Sequence, residues 1–189
     1  MIVRLGAFFV GMCPFLISGG LVRKIALVMG SDSDLPIIEK AILYLKQTPV
    51  DFTVNVLSAH RTPQEAIEFA QTAKDNGYGV IIAAAGMAAH LAGVLAANTV
   101  LPVIGIPCVS TNLDGMDALL STVQMPPGIP VATVAINGAK NAAILACQIL
   151  AVENDTLTQH LRTQRAEDSQ KVLEKNSAIS HTYSVTQHN

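Results

Sequence analysis

The sequence predicts one α/β domain built on a doubly wound parallel sheet. Three observations lead there. From Lys24 onward, short apolar, β-branched runs alternate with segments of helical periodicity. Such apolar runs suit strands covered on both sides. Each run stops at or just before glycine, serine, proline or asparagine, residues that turn a chain out of a strand. Strands interleaved with helices require crossover connections and hence a parallel sheet.

The predicted strands are IALVM (25–29), TVNVL (53–57), VIIAA (80–84), PVIGI (102–106) and VATVAI (131–136). In LPIIEKAILYLKQ after the first strand, Leu35, Ile38, Ile42 and Leu45 share a helical face. The next helix opens at Thr62, with Pro63 in the first helical position and Glu65 placed to complete a capping box. MAAHLAGVLAAN (87–98) is rich in alanine and glycine and can pack closely. Helices over 115–123 and 138–151 follow, then a polar helix over roughly 153–176 whose thin apolar stripe suits another surface. QMPPGIP (124–130) is a rigid connector able to rim a site, and residues 177–189 read as a disordered tail. The core domain is therefore 24–152.

The 189 residues suit a single domain. Half are apolar and 14% are charged, a composition that fits partial covering by neighbouring subunits. A net charge of −2 gives no sign of nucleic-acid binding. Cys13, Cys108 and Cys147 are scattered and odd in number, which argues against a disulfide framework or a zinc site. Residues 1–23 pair Arg4 with an interrupted apolar run too short to span a membrane. They read as an extension outside the fold, with a targeting segment as the alternative.

In open α/β sheets, ligands bind beyond the carboxyl ends of the strands. GSDSD (30–34) follows the first strand: Gly30 permits a turn, Ser31 and Ser33 offer hydroxyls, and the next helix offers free N–H groups. Asp34 is equally placed to cap that helix. SAHRTP (58–63) follows the second strand. Ser58, His60 and Arg61 have no evident structural task there, and Arg61 at a helix start is unfavourable unless an anion lies close. A solvated loop fits the pair as well. After the third strand, Gly86 allows close approach to the backbone, and His90 reads as a packed helical residue or a site residue. Cys108 lies near the site edge without an adjacent base. G-x-G-x-x-G, P-loop and H-E-x-x-H motifs are absent from the sequence.

MGSDSD, SAHRTP, AGMAAHLAG, LPVIGIP and VQMPPGIPVATVAI with KNAAILACQILA occur in one order and spacing. Together, over about 24–175, they make the chain resemble the class I PurE family, the N5-carboxyaminoimidazole ribonucleotide mutases of purine biosynthesis. The resemblance implies a flavodoxin-like three-layer fold, a cytoplasmic homo-octamer with the last helix on a neighbouring subunit, and no metal or other cofactor. It implies that His60 is catalytic, that Ser31 and Asp34 bind the ribonucleotide and that Arg61 binds its phosphate. Ser33, Ser58, Gly86, His90 and Leu91 would complete the pocket. No nucleic acid or membrane partner is implied. The family often has glycine and proline where this chain has Met87 and Ala92, and the loop at AINGAKN is about two residues shorter than usual. A direct carbon dioxide-dependent aminoimidazole ribonucleotide carboxylase, the class II type, is the alternative. That branch typically carries lysine where Arg61 stands here. A non-catalytic nucleotide-binding module explains GSDSD but leaves His60 without a task. A phosphorylatable receiver needs an aspartate where the third strand ends in AAAGM.

Overall fold

Five parallel strands form one sheet in the order β2-β1-β3-β4-β5: β1 Lys24–Met29, β2 Phe52–Val56, β3 Tyr78–Gly86, β4 Val103–Cys108 and β5 Ala132–Thr133. They belong to a computed structural model that describes residues 23–110 and 113–184. Cys13, most of the expected N-terminal extension and residues 185–189 lie outside the described residues. Arg23, expected outside the fold, donates from Nη1 to the Lys74 carbonyl at 3.3 Å.

The helices are α1 Leu35–Leu45, α2 Pro63–Thr72, α3 Leu91–Ala97, α4 Met116–Val123, α5 Ala139–Ala151 and α6 Asp155–Tyr183. Side chains alternate across each strand, and the two faces feed separate cores. Ile25, Leu27 and Met29 pack with α1 and α5, whereas Ala26 and Val28 pack with α2 and α3. The fold is thus a three-layer α/β sandwich. Gly105 lets α3 and α4 close on the second face, because a β-carbon there would collide with Thr122 and crowd Ala92.

Several local expectations change. β2 is one of the two sheet edges, and Val54 and Val56 remain exposed, so it is not covered on both faces. On α1 the buried side chains are Ile38, Ala41, Tyr44 and Leu45, while Leu35 is exposed where the helix leaves the strand end. β5 pairs over only Ala132–Thr133, because the chain then turns through Asn137, at φ +58. Asn137 ties this short loop to the end of β4. Its N–H donates to the Pro107 carbonyl and its Oδ1 accepts from the Val109 N–H, both at 2.9 Å.

The last helix is longer than expected and carries 177–183, read from sequence as tail, within it. Asn154 caps it by accepting the Leu157 N–H at 2.9 Å. Leu157 is buried against α5, and Gln164 accepts the Tyr44 hydroxyl at 2.7 Å. Beyond that contact Val172, Leu173, Ile179 and Tyr183 are exposed.

The topology sets the site. From β1 the chain steps outward to β2, then crosses back to β3 on the other side of β1. The connections after β1 and β3 leave towards opposite faces, and a crevice opens between them. Among the described residues, no helix is long and apolar enough to cross a membrane.

Candidate active site

A cavity of about 730 Å³ occupies that crevice. Its lining includes every site residue expected from the sequence: Ser31, Ser33, Asp34, Ser58, His60, Arg61, Gly86, His90 and Leu91. Each local segment explains how its side chains arrive there.

The turn at 58–62 is clamped at both ends. Thr62 Oγ1 accepts the Ser58 N–H at 2.8 Å and donates to the Ser58 carbonyl at 3.2 Å. That same carbonyl accepts the Thr62 N–H at 2.9 Å, and Ser58 Oγ accepts the Arg61 N–H at 3.2 Å. The expected capping box is therefore not formed: the Thr62 side chain makes no cap bond to α2 because it is committed to Ser58. Pro63 does occupy the start of the helix. With its ends tied, the turn presents His60 and Arg61, both exposed, to the cavity. The Arg61 guanidinium crosses the crevice mouth and donates from Nη2 to the Gly30 carbonyl at 3.0 Å.

The first loop begins with Gly30 still bonded to β3, its N–H donating to the Ala84 carbonyl at 3.0 Å. Gly30 is not left-handed, so this turn does not require glycine for its φ. Ser31 Oγ accepts the Ser33 hydroxyl at 2.9 Å and the Ser33 N–H at 3.3 Å, which folds Asp32–Asp34 into a tight helical turn. Asp34 stands at the N-cap of α1, yet its carboxylate makes no capping bond. It is buried in the cavity wall instead. Burial holds its carboxyl above the usual range. A backbone bond at Ser31 pulls it down and the Asp32 charge pushes it further up. The structural explanation for this acid, capping, thus falls away.

On the far side, α3 starts at Leu91, so His90 is not within the helix but precedes it as its N-cap residue. Met87–His90 forms a turn rather than the expected helical segment, with Met87 at φ +56. A β-carbon at Gly93 would lie 2.5 Å from His90 Cε1, so this glycine gives the imidazole its resting place. Cys108, expected near the site edge, is buried and does not line the cavity. Burial, then the Asp34 charge, pushes its thiol up to about 12, which keeps it protonated and unreactive.

Sequence reading missed Ile37, Ala59, Ala85, Met87, Ala88, Val109 and Ser110 in the lining. Val109 and Ser110 directly follow β4, so the strand-end rule had marked their place. The others are small or apolar and carry no chemical signal. The connector 124–130, expected as a possible rim, lines none of this cavity. Among the described residues, no cluster of histidine, cysteine, aspartate and glutamate has the makings of a metal site.

A doubly wound sheet whose switch-point crevice gathers an imidazole, a guanidinium and a buried carboxyl defines an α/β protein suited to a small anionic ligand and proton transfer. Residues 24–171 match the family described as AIR carboxylase, and the chain belongs to that family. It is 55% identical over 142 residues to the N5-carboxyaminoimidazole ribonucleotide mutase of Pyrococcus abyssi, covering 75% of this chain and 82% of that protein. It is 47% identical over 152 residues to the mutase of the same name from Thermotoga maritima, covering 80% and 89%. The crystal structure of Treponema denticola PurE is similar with a TM-score of 0.76 at 26% identity, covering 82% of this chain and 98% of that one. The fold is accordingly flavodoxin-like and of the PurE kind.

Proposed function

We propose that this protein is an N5-carboxyaminoimidazole ribonucleotide mutase, moving a carboxylate from the exocyclic nitrogen of the aminoimidazole to its C4 carbon in purine biosynthesis. Relatives that carry this name match most of the chain, and they do not favour the direct carbon dioxide-dependent carboxylase. The observation that carries the reading is the clamped 58–62 turn, which directs an imidazole and a guanidinium into one crevice with the GSDSD loop.

The roles follow from the proton count. The nitrogen must gain a proton and C4 must lose one. His60, protonated, gives its proton to the nitrogen as the carbamate breaks into carbon dioxide and aminoimidazole ribonucleotide. C4 then attacks the carbon dioxide, and neutral His60 takes the C4 proton, returning to its starting state. An imidazole, which titrates near neutral pH, suits a group that is acid and then base. Arg61 and Ser31 hold the phosphate end, so binding energy remote from C4 positions the reacting atoms. Asp34 and Ser33 contact the ribonucleotide, and Ser58, Gly86, His90 and Leu91 shape the pocket around it. The reaction written this way uses no cofactor.

The working form is a cytoplasmic homo-octamer. Support comes from apolar surface left open on the single chain: Met116, Leu120 and Val123 along α4, and Val172, Leu173 and Ile179 on α6. The decisive assay offers the purified protein either N5-carboxyaminoimidazole ribonucleotide or aminoimidazole ribonucleotide with a low concentration of bicarbonate. C4-carboxylated product from the first alone supports the mutase. Product from the second at comparable rate overturns it.

A further inference from the structure

The cavity has two unlike walls. Ser31, Ser33, Ser58 and Arg61, from the loops after β1 and β2, make a polar one. Ala85, Ala88, Leu91 and Val109, around the ends of β3 and β4, make a mainly apolar one, interrupted by His90 and Ser110. Met87 belongs to the apolar wall and is anomalous in two respects. Its backbone is left-handed at φ +56, a conformation that costs a residue with a side chain about 1–2 kcal/mol. The residue is also 62% exposed, so packing within this chain offsets little of that cost. The turn that holds it is closed by two short-range bonds, Ala89 N–H to the Met87 carbonyl and His90 N–H to the Ala88 carbonyl, both at 2.8 Å. Stability alone would favour glycine at this position.

We propose that Met87 is a retention residue, whose thioether side chain forms the apolar side of the cavity mouth and keeps carbon dioxide beside the ring between the two half-reactions. This deepens the mutase reading and rests on it. When the carbamate C–N bond breaks, its electron pair returns to the nitrogen, which takes a proton from His60. The carbon dioxide released is neutral and offers Arg61 no charge to hold. Enclosure by apolar groups is what remains to slow its escape until C4 forms the new C–C bond and passes its proton to His60. An unbranched, flexible methionine can cover such an opening and still let a ribonucleotide pass.

The test supplies the full-length protein, Met87→Gly and Met87→Leu with N5-carboxyaminoimidazole ribonucleotide in carbon-13 bicarbonate, with carbonic anhydrase to equilibrate free carbon dioxide. Two quantities are read after subtracting an enzyme-free blank: aminoimidazole ribonucleotide released per product formed, and label in the product. Met87→Gly should raise both severalfold, while Met87→Leu stays close to the parent. Glycine relieves the left-handed backbone, so Met87→Gly should melt no lower than the parent, and loss of fold does not confuse the result. Partitioning unchanged in Met87→Gly overturns the proposal. The same holds if that variant only alters the oligomer, read by sedimentation, because Met87 would then serve a subunit contact. If the parent makes no C4-carboxylated product, the mutase reading itself fails and takes this one with it.

Discussion

The Arg61 guanidinium donates to the Gly30 carbonyl at 3.0 Å, joining the loop after β2 to the first residue after β1. The crevice mouth is thus bridged by a cation held in place by main chain. A phosphate entering beside it would meet a charge already oriented, with little side-chain entropy left to lose.

Replacing Arg61 with alanine should weaken ribonucleotide binding by about 10- to 100-fold, the loss of a charge-assisted contact worth about 1.5–3 kcal/mol. Arg61→Lys should recover part of this, since it keeps the charge but lacks the planar fork. Isothermal titration with the phosphorylated ligand measures both. Parent-like affinity in Arg61→Ala would remove the anchoring role.

His60→Asn should bind ribonucleotide nearly as the parent does while turnover falls by at least about 10²- to 10⁴-fold, the usual range for one acid–base group. Two proton transfers pass through this imidazole, so the upper end is expected. Steady-state kinetics paired with a binding measurement separates the effects, and turnover at parental speed would end the shuttle.

Asp34→Asn should raise the melting temperature at pH 7 and weaken substrate binding. Burial raises the Asp34 carboxyl above its unfolded value, so the folded state holds the proton more tightly. Stability then falls as pH rises from about 3.9, the unfolded pKa, through the raised folded one. The amide carries no such penalty. Its advantage should be present at pH 7 and shrink towards pH 4, as followed by thermal denaturation. An advantage that grew on acidification would contradict the assignment.

Thr62→Val removes the hydroxyl that accepts the Ser58 N–H and donates to the Ser58 carbonyl. An unsatisfied, half-buried N–H costs about 1–3 kcal/mol. Both unfolding free energy and kcat should drop, because the turn carries His60. Thr62→Ser should restore both, and a variant with lower stability but parental kcat would show that the clamp does not position the imidazole.

Gly93→Ala separates packing from chemistry at His90. Alanine in a helix interior is favoured over glycine by about 0.5–1 kcal/mol, but its β-carbon would lie 2.5 Å from His90 Cε1. Little or no loss of stability is expected, with the imidazole displaced and kcat/KM reduced. Unaltered kinetics would make His90 a bystander.

The strands, the helix order and both anchor loops were legible from residue pattern, since burial on two faces leaves continuous apolar runs and strand ends need turn residues. Boundaries at 87–90 and after Thr133 were not. Propensity favours helix in MAAHLAG and strand in VATVAI, but the left-handed turn at Met87 interrupts the first and the Asn137 loop, tied back to the end of β4, cuts the second short. Thr62 shows the same limit: its spacing to Glu65 fits a capping box, yet Ser58, four residues back, captured its hydroxyl.

By itself the sequence determined the parallel architecture, the family and the identity of the groups at the strand ends. Periodicity and turn chemistry are local properties that are written residue by residue. Only the tertiary structure decided that Asp34 is a buried cavity acid rather than a cap, that Arg61 spans to Gly30, and that Met87 is strained at the rim. Those facts depend on distances between segments far apart in the chain and on which polar groups lose their water, and neither is encoded in any one stretch.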